Sequence, residues 1–128
     1  MNNPSSIGWR RLATDALEAA RKLTADHPRS VINRVYYSMF AETHARLIEQ
    51  GVRPRQNLGT WKHAEIPLLA RKYLVKPLGK EGARTWSQTL RKARTLREYA
   101  DYRPTWEIDS PMALALLNEA SKLLGESR

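Results

Sequence analysis

Apolar residues recur at helical spacing through nearly the whole chain. In the first segment Ile7, Leu12, Ala13, Ala16, Leu17, Ala20 and Leu23 gather on one side of a helix. Asp26, His27 and Pro28 stop it. Ser30 can accept a hydrogen bond from a free backbone amide, so it is expected to open a second helix that runs to about Gly51. GVRPRQNLGT, with its glycines and proline, reads as a loop. Thr60 is expected to start a helix through TWKHAEIPLLARKYL, kinked at Pro67, whose ring removes one backbone bond. Lys76 and Pro77 separate that segment from a long polar helix over about residues 79–102, which Pro104 ends. Asp109 or Ser110 caps the last helix, where Pro111 suits the first turn. Met112, Ala113, Leu116, Leu117, Ala120, Leu123 and Leu124 form its apolar stripe. No stretch alternates with the bounded period of two that marks a strand hairpin, and there is no internal repeat. The expected fold is all-α, a bundle of four or five helices.

Two of these helices carry more than a plain stripe. On the second, Ile32, Tyr36, Met39, Phe40, Thr43 and Leu47 share one side. Tyr37, Ser38, Ala41, Ala45 and Ile48 form a second, weakly polar face of mostly small side chains, over which another helix can approach closely. Such a helix is central in its bundle or lies at a subunit contact. On the long helix, Ala83, Trp86, Leu90, Ala93, Leu96 and Ala100 define an apolar arc, with Lys80, Arg84, Arg91, Arg94 and Glu98 away from its centre. Arg97 falls inside the arc. A guanidinium stays charged at any ordinary pH, and burying it without partners costs several kcal/mol, so partners are required. Asp101, one turn on, is the local one. Two readings follow: a structural ion pair that pins the helix, or a cleft in which Arg97 meets a phosphate bidentately.

Charge and composition sharpen that choice. The 128 residues include 22 Lys and Arg against 13 Asp and Glu, a formal charge of +9 that favours phosphate polymers and other acidic partners. Absence of cysteine excludes disulfides, thiol nucleophiles and thiolate metal sites. MNNPSSIGWRRL lacks the apolar centre of a signal peptide, and no run approaches the ~20 apolar residues that cross a bilayer. A soluble cytoplasmic protein without a membrane partner is expected.

RVYYSMFAETHARL on the second helix resembles the R-x-Y-Y-A-x-F-x-A-A-R-A-L signature of HEPN domains, the small helical modules named for higher eukaryotes and prokaryotes nucleotide-binding. LREYADY resembles their late-helix L-R-x-x-A-D-Y signature, and WKHAEIPLLARKYLV their K-T-H-x-G-L mid-chain segment. The three stand in the family's order. The resemblance implies one domain over residues 1–128: an up-and-down four-helix bundle with an additional short helix, often a homodimer. Many relatives are RNA-cleaving toxins or defence effectors paired with a nucleotidyltransferase. In those ribonucleases an R-x(4–6)-H motif supplies an arginine and a histidine. Arg97 matches the arginine, and Tyr102 stands where the histidine would be; the sequence matches instead the subfamily whose motif ends in A-D-Y. Histidine, titrating near neutrality, gives and takes protons readily; an ordinary tyrosine, with a pKa of about 10, does not. Pro104 occupies the place of a tyrosine that the partner transferase modifies in some toxins.

The expected site is therefore Arg97, Asp101 and Tyr102, joined by His63, Arg34 and Tyr37, with Lys62, Arg91 and Arg94 extending a basic surface for RNA or nucleotide phosphate. Arg53 and Arg55 make the loop a second phosphate-touching tip. His44 reads as a satisfied structural group and His27 as turn punctuation. No histidine and carboxylate pair has metal-ligand spacing and no Gly-rich phosphate loop exists, so neither metal nor cofactor is expected. A metal-independent endoribonuclease is one functional reading. The other is a non-catalytic module that docks onto a nucleotidyltransferase or an effector subunit, its Arg97–Asp101 pair purely structural.

Overall fold

Each amphipathic segment folds as a helix. The computed structural model describes residues 4–23, 26–54 and 60–126. Within them lie α1 (Pro4–Leu23), α2 (Pro28–Glu49), α3 (Ile66–Tyr73), α4 (Val75–Tyr102) and α5 (Ser110–Glu126), and no strand. No described helix is long and apolar enough to cross a membrane. Arg55, expected at the loop tip, lies outside the described residues.

Three boundaries differ from expectation, each for a backbone reason. The second helix begins at Pro28 and not at Ser30. Proline presets the helical φ, and its missing N–H is no loss in a first turn. The same logic moves the start of α3 to Ile66: Pro67 sits in its first turn and kinks nothing. Residues 60–65 form turns instead, with Thr60 and Trp61 drawn onto α2 by His44. The break before the long helix falls at Gly79, not at Lys76 and Pro77. Gly79 has φ 77° and ψ 168°, a conformation natural only to glycine. At the far end Asp109 caps α5 as expected, its carboxylate accepting from the Met112 amide at 3.0 Å.

The helix α2 touches each of the other four, most extensively α1. Its small face lies against α1, close enough for the Ser38 hydroxyl to donate to the Ala13 carbonyl at 2.8 Å. The opposite face joins Ile32, Tyr36, Met39 and Leu47 to Trp86 and Leu90 of α4 and Leu116 and Leu124 of α5 in one core. Enclosure this complete also buries Glu42, Thr43, His44 and Arg46. Each is satisfied. Thr43 Oγ1 donates to the Met39 carbonyl at 2.6 Å and accepts from Trp86 Nε1 at 2.9 Å. The Glu42 carboxylate takes Nε of Arg10 at 3.1 Å and Nε of Arg46 at 3.0 Å, while Arg10 also grips Glu49 at 2.6 and 2.9 Å. The Arg46 guanidinium lies over the Trp86 ring, 4.7 Å from its centroid.

Glu42 is thus shared by two largely sequestered cations, Arg10 and Arg46. Removing one partner of a buried ion pair leaves the other charge uncompensated, so Glu42→Ala should destabilise the fold by about 3–5 kcal/mol in chemical denaturation. A loss below about 1 kcal/mol would show that water reaches Arg46 and replaces the carboxylate.

Candidate functional site

Arg97 projects from α4 toward α2, its side chain 12 % exposed. The guanidinium carbon lies 5.2 Å from the ring centroid of Tyr36, 5.7 Å from that of Tyr37 and 5.9 Å from that of Tyr102. The ring faces are negative, and they take the place of much of the water the cation has lost. Its ionic contact is weaker. Arg97 Nη1 stands 3.5 Å from Asp101 Oδ2, at the limit of a hydrogen bond, whereas Asn33 Nδ2 donates to that same oxygen at 3.0 Å. Nε of Arg97 is buried with no partner. Burial works against the charge, but Tyr37, the Tyr102 hydroxyl and Asp101 outweigh it and hold the guanidinium more firmly charged than usual.

His63 reaches the group from the turn before α3. Its Nδ1 is hydrogen-bonded to the Tyr36 hydroxyl, and its ring stacks on Phe40 at 4.4 Å and 19°. Burial, then the charges of Arg97 and Arg94, push its pKa down. Burial pushes Tyr36 up to about 12, against the pull of the same two arginines. Phenol and imidazole are therefore both neutral at pH 7. The bond to Tyr36 engages Nδ1, one of the two ring nitrogens. The stack continues from Phe40 to His44 at 4.5 Å and from His44 to Trp9 of α1 at 4.1 Å. His44 is structural as expected: Nδ1 meets the Phe40 carbonyl at 2.9 Å and Nε2 meets Thr60 Oγ1 at 2.8 Å.

Open clefts flank the cation. A groove of about 400 Å³ is lined by Arg97, Glu98, Tyr99, Tyr102 and Arg103. On the other side of Tyr102, a cleft of about 640 Å³ is walled by Arg29, Ser30, Asn33, Arg34 and Asp101. A third hollow of about 400 Å³, between α1 and α2, takes in Trp9, Leu12, Arg34, Tyr37 and Phe40. Arg97, sequestered and permanently charged, sits where an anion can reach the edge of its fork. Among the described residues no group of His, Asp and Glu side chains is arranged to hold a metal ion.

The family model for the HEPN domain matches residues 8–128. The chain belongs to the HEPN family. No curated protein and no solved structure matches it.

Within this HEPN domain, Arg97, Asp101, Tyr102, Tyr37 and His63 come together as the spacing suggests, and Arg94 faces the same group through its charge. Arg34 is exposed on the adjoining clefts. Lys62 and Arg91 are exposed, and no described contact joins them to Arg97. One member escaped the sequence reading and another was read only in part. Tyr36, read as core or seam, is buried in the core, and it also covers one face of the cation and holds His63. Asn33, which fixes Asp101, was not singled out; its position one helical turn before Tyr36 and Tyr37 was the available signal.

The fully buried His44 has its pKa pushed down to about 4 from 6.5, by burial first. Below pH 6.5 the unfolded chain takes up a proton that the native imidazole refuses, so stability falls with pH and is unaffected above that value. The drop from His44 alone should be on the order of 3 kcal/mol between pH 6.5 and 4. His63 adds in the same direction. Denaturation midpoints between pH 5 and 6.5, above the range where carboxylates titrate, should show this slope and lose most of it in His44→Gln; a flat profile in the parent protein would contradict it.

Proposed function

We propose that this HEPN domain binds the phosphate of RNA or of a nucleotide at Arg97, as a component of a toxin–antitoxin or defence system. One observation carries the reading: a largely shielded guanidinium, lying against three ring faces and with its Nε unpartnered, forms part of the wall of an open groove. A structural pair would be expected to have a close, fully bonded carboxylate; here Asp101 is bonded more tightly to Asn33. Arg34 and Arg94, with the +9 formal charge, add attraction for a polyanion. We read residues 1–128 as a single domain, α1, α2, α4 and α5 as an up-and-down bundle with α3 the short extra helix, and the molecule as a cytoplasmic homodimer.

In a cleaving version of the site Arg97 steadies the charged phosphorus-centred transition state. Proton transfer then falls to His63 or Tyr102, because Tyr102 replaces the histidine of the ribonuclease motif. The bond to Tyr36 and the stack on Phe40 hold the His63 ring in place and engage one of its two nitrogens, which favours binding over proton transfer. The second reading, a non-catalytic module docked on a nucleotidyltransferase or effector subunit, draws on the Arg97–Asp101–Asn33 chain, which ties α4 to α2 without any ligand.

Labelled single-stranded RNA and a nucleoside triphosphate, titrated against the parent protein and Arg97→Ala at matched folding, separate the two. Loss of a charge-assisted bidentate contact should weaken binding by about 10-fold or more and flatten its salt dependence. Unchanged affinity, or no binding alongside a stable complex with a nucleotidyltransferase, would overturn the phosphate reading in favour of the module.

A further inference from the structure

Beyond α4 the chain turns back on itself. Trp106 stacks on Tyr99, two positions past Arg97 on the same helix, with ring centroids 4.4 Å apart and planes at 16°. One face of the indole is covered and Trp106 is still 50 % exposed. The backbone that carries the ring is held as well. Arg29 of α2 donates to the carbonyls of Tyr99 at 3.1 Å, Ala100 at 2.9 Å, Arg103 at 3.2 Å and Pro104 at 3.4 Å, and to that of Trp106 as well. The Trp106 amide closes a turn onto the Arg103 carbonyl at 3.1 Å. A large aromatic is thus presented to solvent on a segment whose backbone is already fixed.

We propose that the outer face of Trp106 is a base-stacking subsite for single-stranded RNA, joined to Arg97 by the groove that Tyr99 shares. The inference rests on the phosphate reading of Arg97 and adds the part of the ligand that lies beyond the phosphate. Every nucleobase has a π face, so a rigid, exposed indole takes any of them, and a base stacked there extends the platform that Tyr99 begins. The groove runs along Arg97 and Tyr99, and Tyr99 carries Trp106 on its ring. Arg97 and Arg103 line it, and its one carboxylate, Glu98, is drawn toward Arg94 at 3.6 Å. An anchor for a protein partner is ordinarily set in a continuous apolar patch, whereas the exposed neighbours here are mixed: Arg103, Thr105 and Glu107 are polar and stand beside Pro104 and Tyr102. Because Arg29 fixes the backbone and Tyr99 covers one face of the ring beforehand, little conformational freedom is lost on binding.

The test uses the full chain and a short single-stranded RNA followed by fluorescence anisotropy. Trp106→Ala should weaken binding roughly 5- to 100-fold, while Trp106→Phe, which keeps a ring, should stay within a few-fold of the parent. An RNA series with a single abasic nucleotide at successive positions supplies an arm that needs no mutation. One position should weaken binding to the parent protein and make no difference to Trp106→Ala. Equal affinity of Trp106→Ala and parent overturns the subsite, as do abasic effects that persist unchanged in Trp106→Ala. Failure of the underlying reading looks different: Arg97→Ala then binds like the parent. If no RNA binds and Trp106→Ala instead breaks a protein complex, Trp106 is a protein anchor and the proposal is wrong.

Discussion

Enclosure of the second half of α2, residues 38–48, is the constraint from which the rest follows. A helix with one apolar stripe can leave its polar residues in water. This stretch cannot, because it is buried on all its faces while the helix as a whole touches all four others. Glu42, Thr43, His44 and Arg46 are therefore each matched by a group from elsewhere: Arg10 of α1, Trp86 of α4, Thr60 of the connecting turn. An unsatisfied polar group at such a depth forfeits about 1–3 kcal/mol, more for a charge. The matches thus fix which helix lies where, while the apolar contacts supply most of the favourable free energy. The same requirement governs the two ends of α2. Arg29 near its start satisfies carbonyls left open at the end of α4, and Gly51, at φ 82°, lets the chain leave the other end.

At Arg97 the requirement is met only in part, and this separates the site from the core a few turns away. Arg46 has a carboxylate at 3.0 Å and an indole face at 4.7 Å. Arg97 has three phenol faces, a carboxylate at 3.5 Å and an Nε without a partner. Two arginines on the same fold thus show the contrast between a cation whose bonding is complete and one whose bonding is open. Cation–π contacts stabilise charge without consuming N–H donors, so the Arg97 fork keeps its capacity for an incoming oxyanion.

Much of this was legible from residue spacing, because side chains separated by three or four positions share a helix face whatever the rest of the fold does. That rule placed Arg97 inside an apolar arc, gave it Asp101, and showed that α2 packs on two faces. What it missed depends on contacts between elements. Ser30, an acceptable cap by type, lost to a proline two residues earlier that forms the first turn without needing a cap. Pro67 read as a kink because nothing local says that the preceding residues are pulled onto α2 by His44. The Glu42–Arg10 pair spans 32 residues, and the Asn33–Asp101 bond spans 68; no periodicity within one helix reports either. Lys62 and Arg91 had the right charge, but composition carries no direction, and both point into solvent away from any described contact with the site.

The imidazole question shows how placement, more than residue type, sets chemistry. The ribonuclease motif puts its histidine on the same helix as the arginine, free to approach the substrate. Here the only imidazole at Arg97 among the described residues arrives from the turn before α3 and is held at Nδ1 by Tyr36 and flat against Phe40. Burial, and after it the charges of Arg97 and Arg94, disfavour its protonated form, so it lacks the acid that a leaving oxygen needs at neutral pH. What this arrangement does well is hold position. A neutral ring wedged between Tyr36 and Phe40 keeps the phenol face turned to the guanidinium, and burial, aided by the guanidinium, keeps the imidazole neutral. The two effects reinforce each other, and together they yield a rigid cationic wall. Rigidity of that kind suits recognition of a phosphate more directly than it suits cleavage.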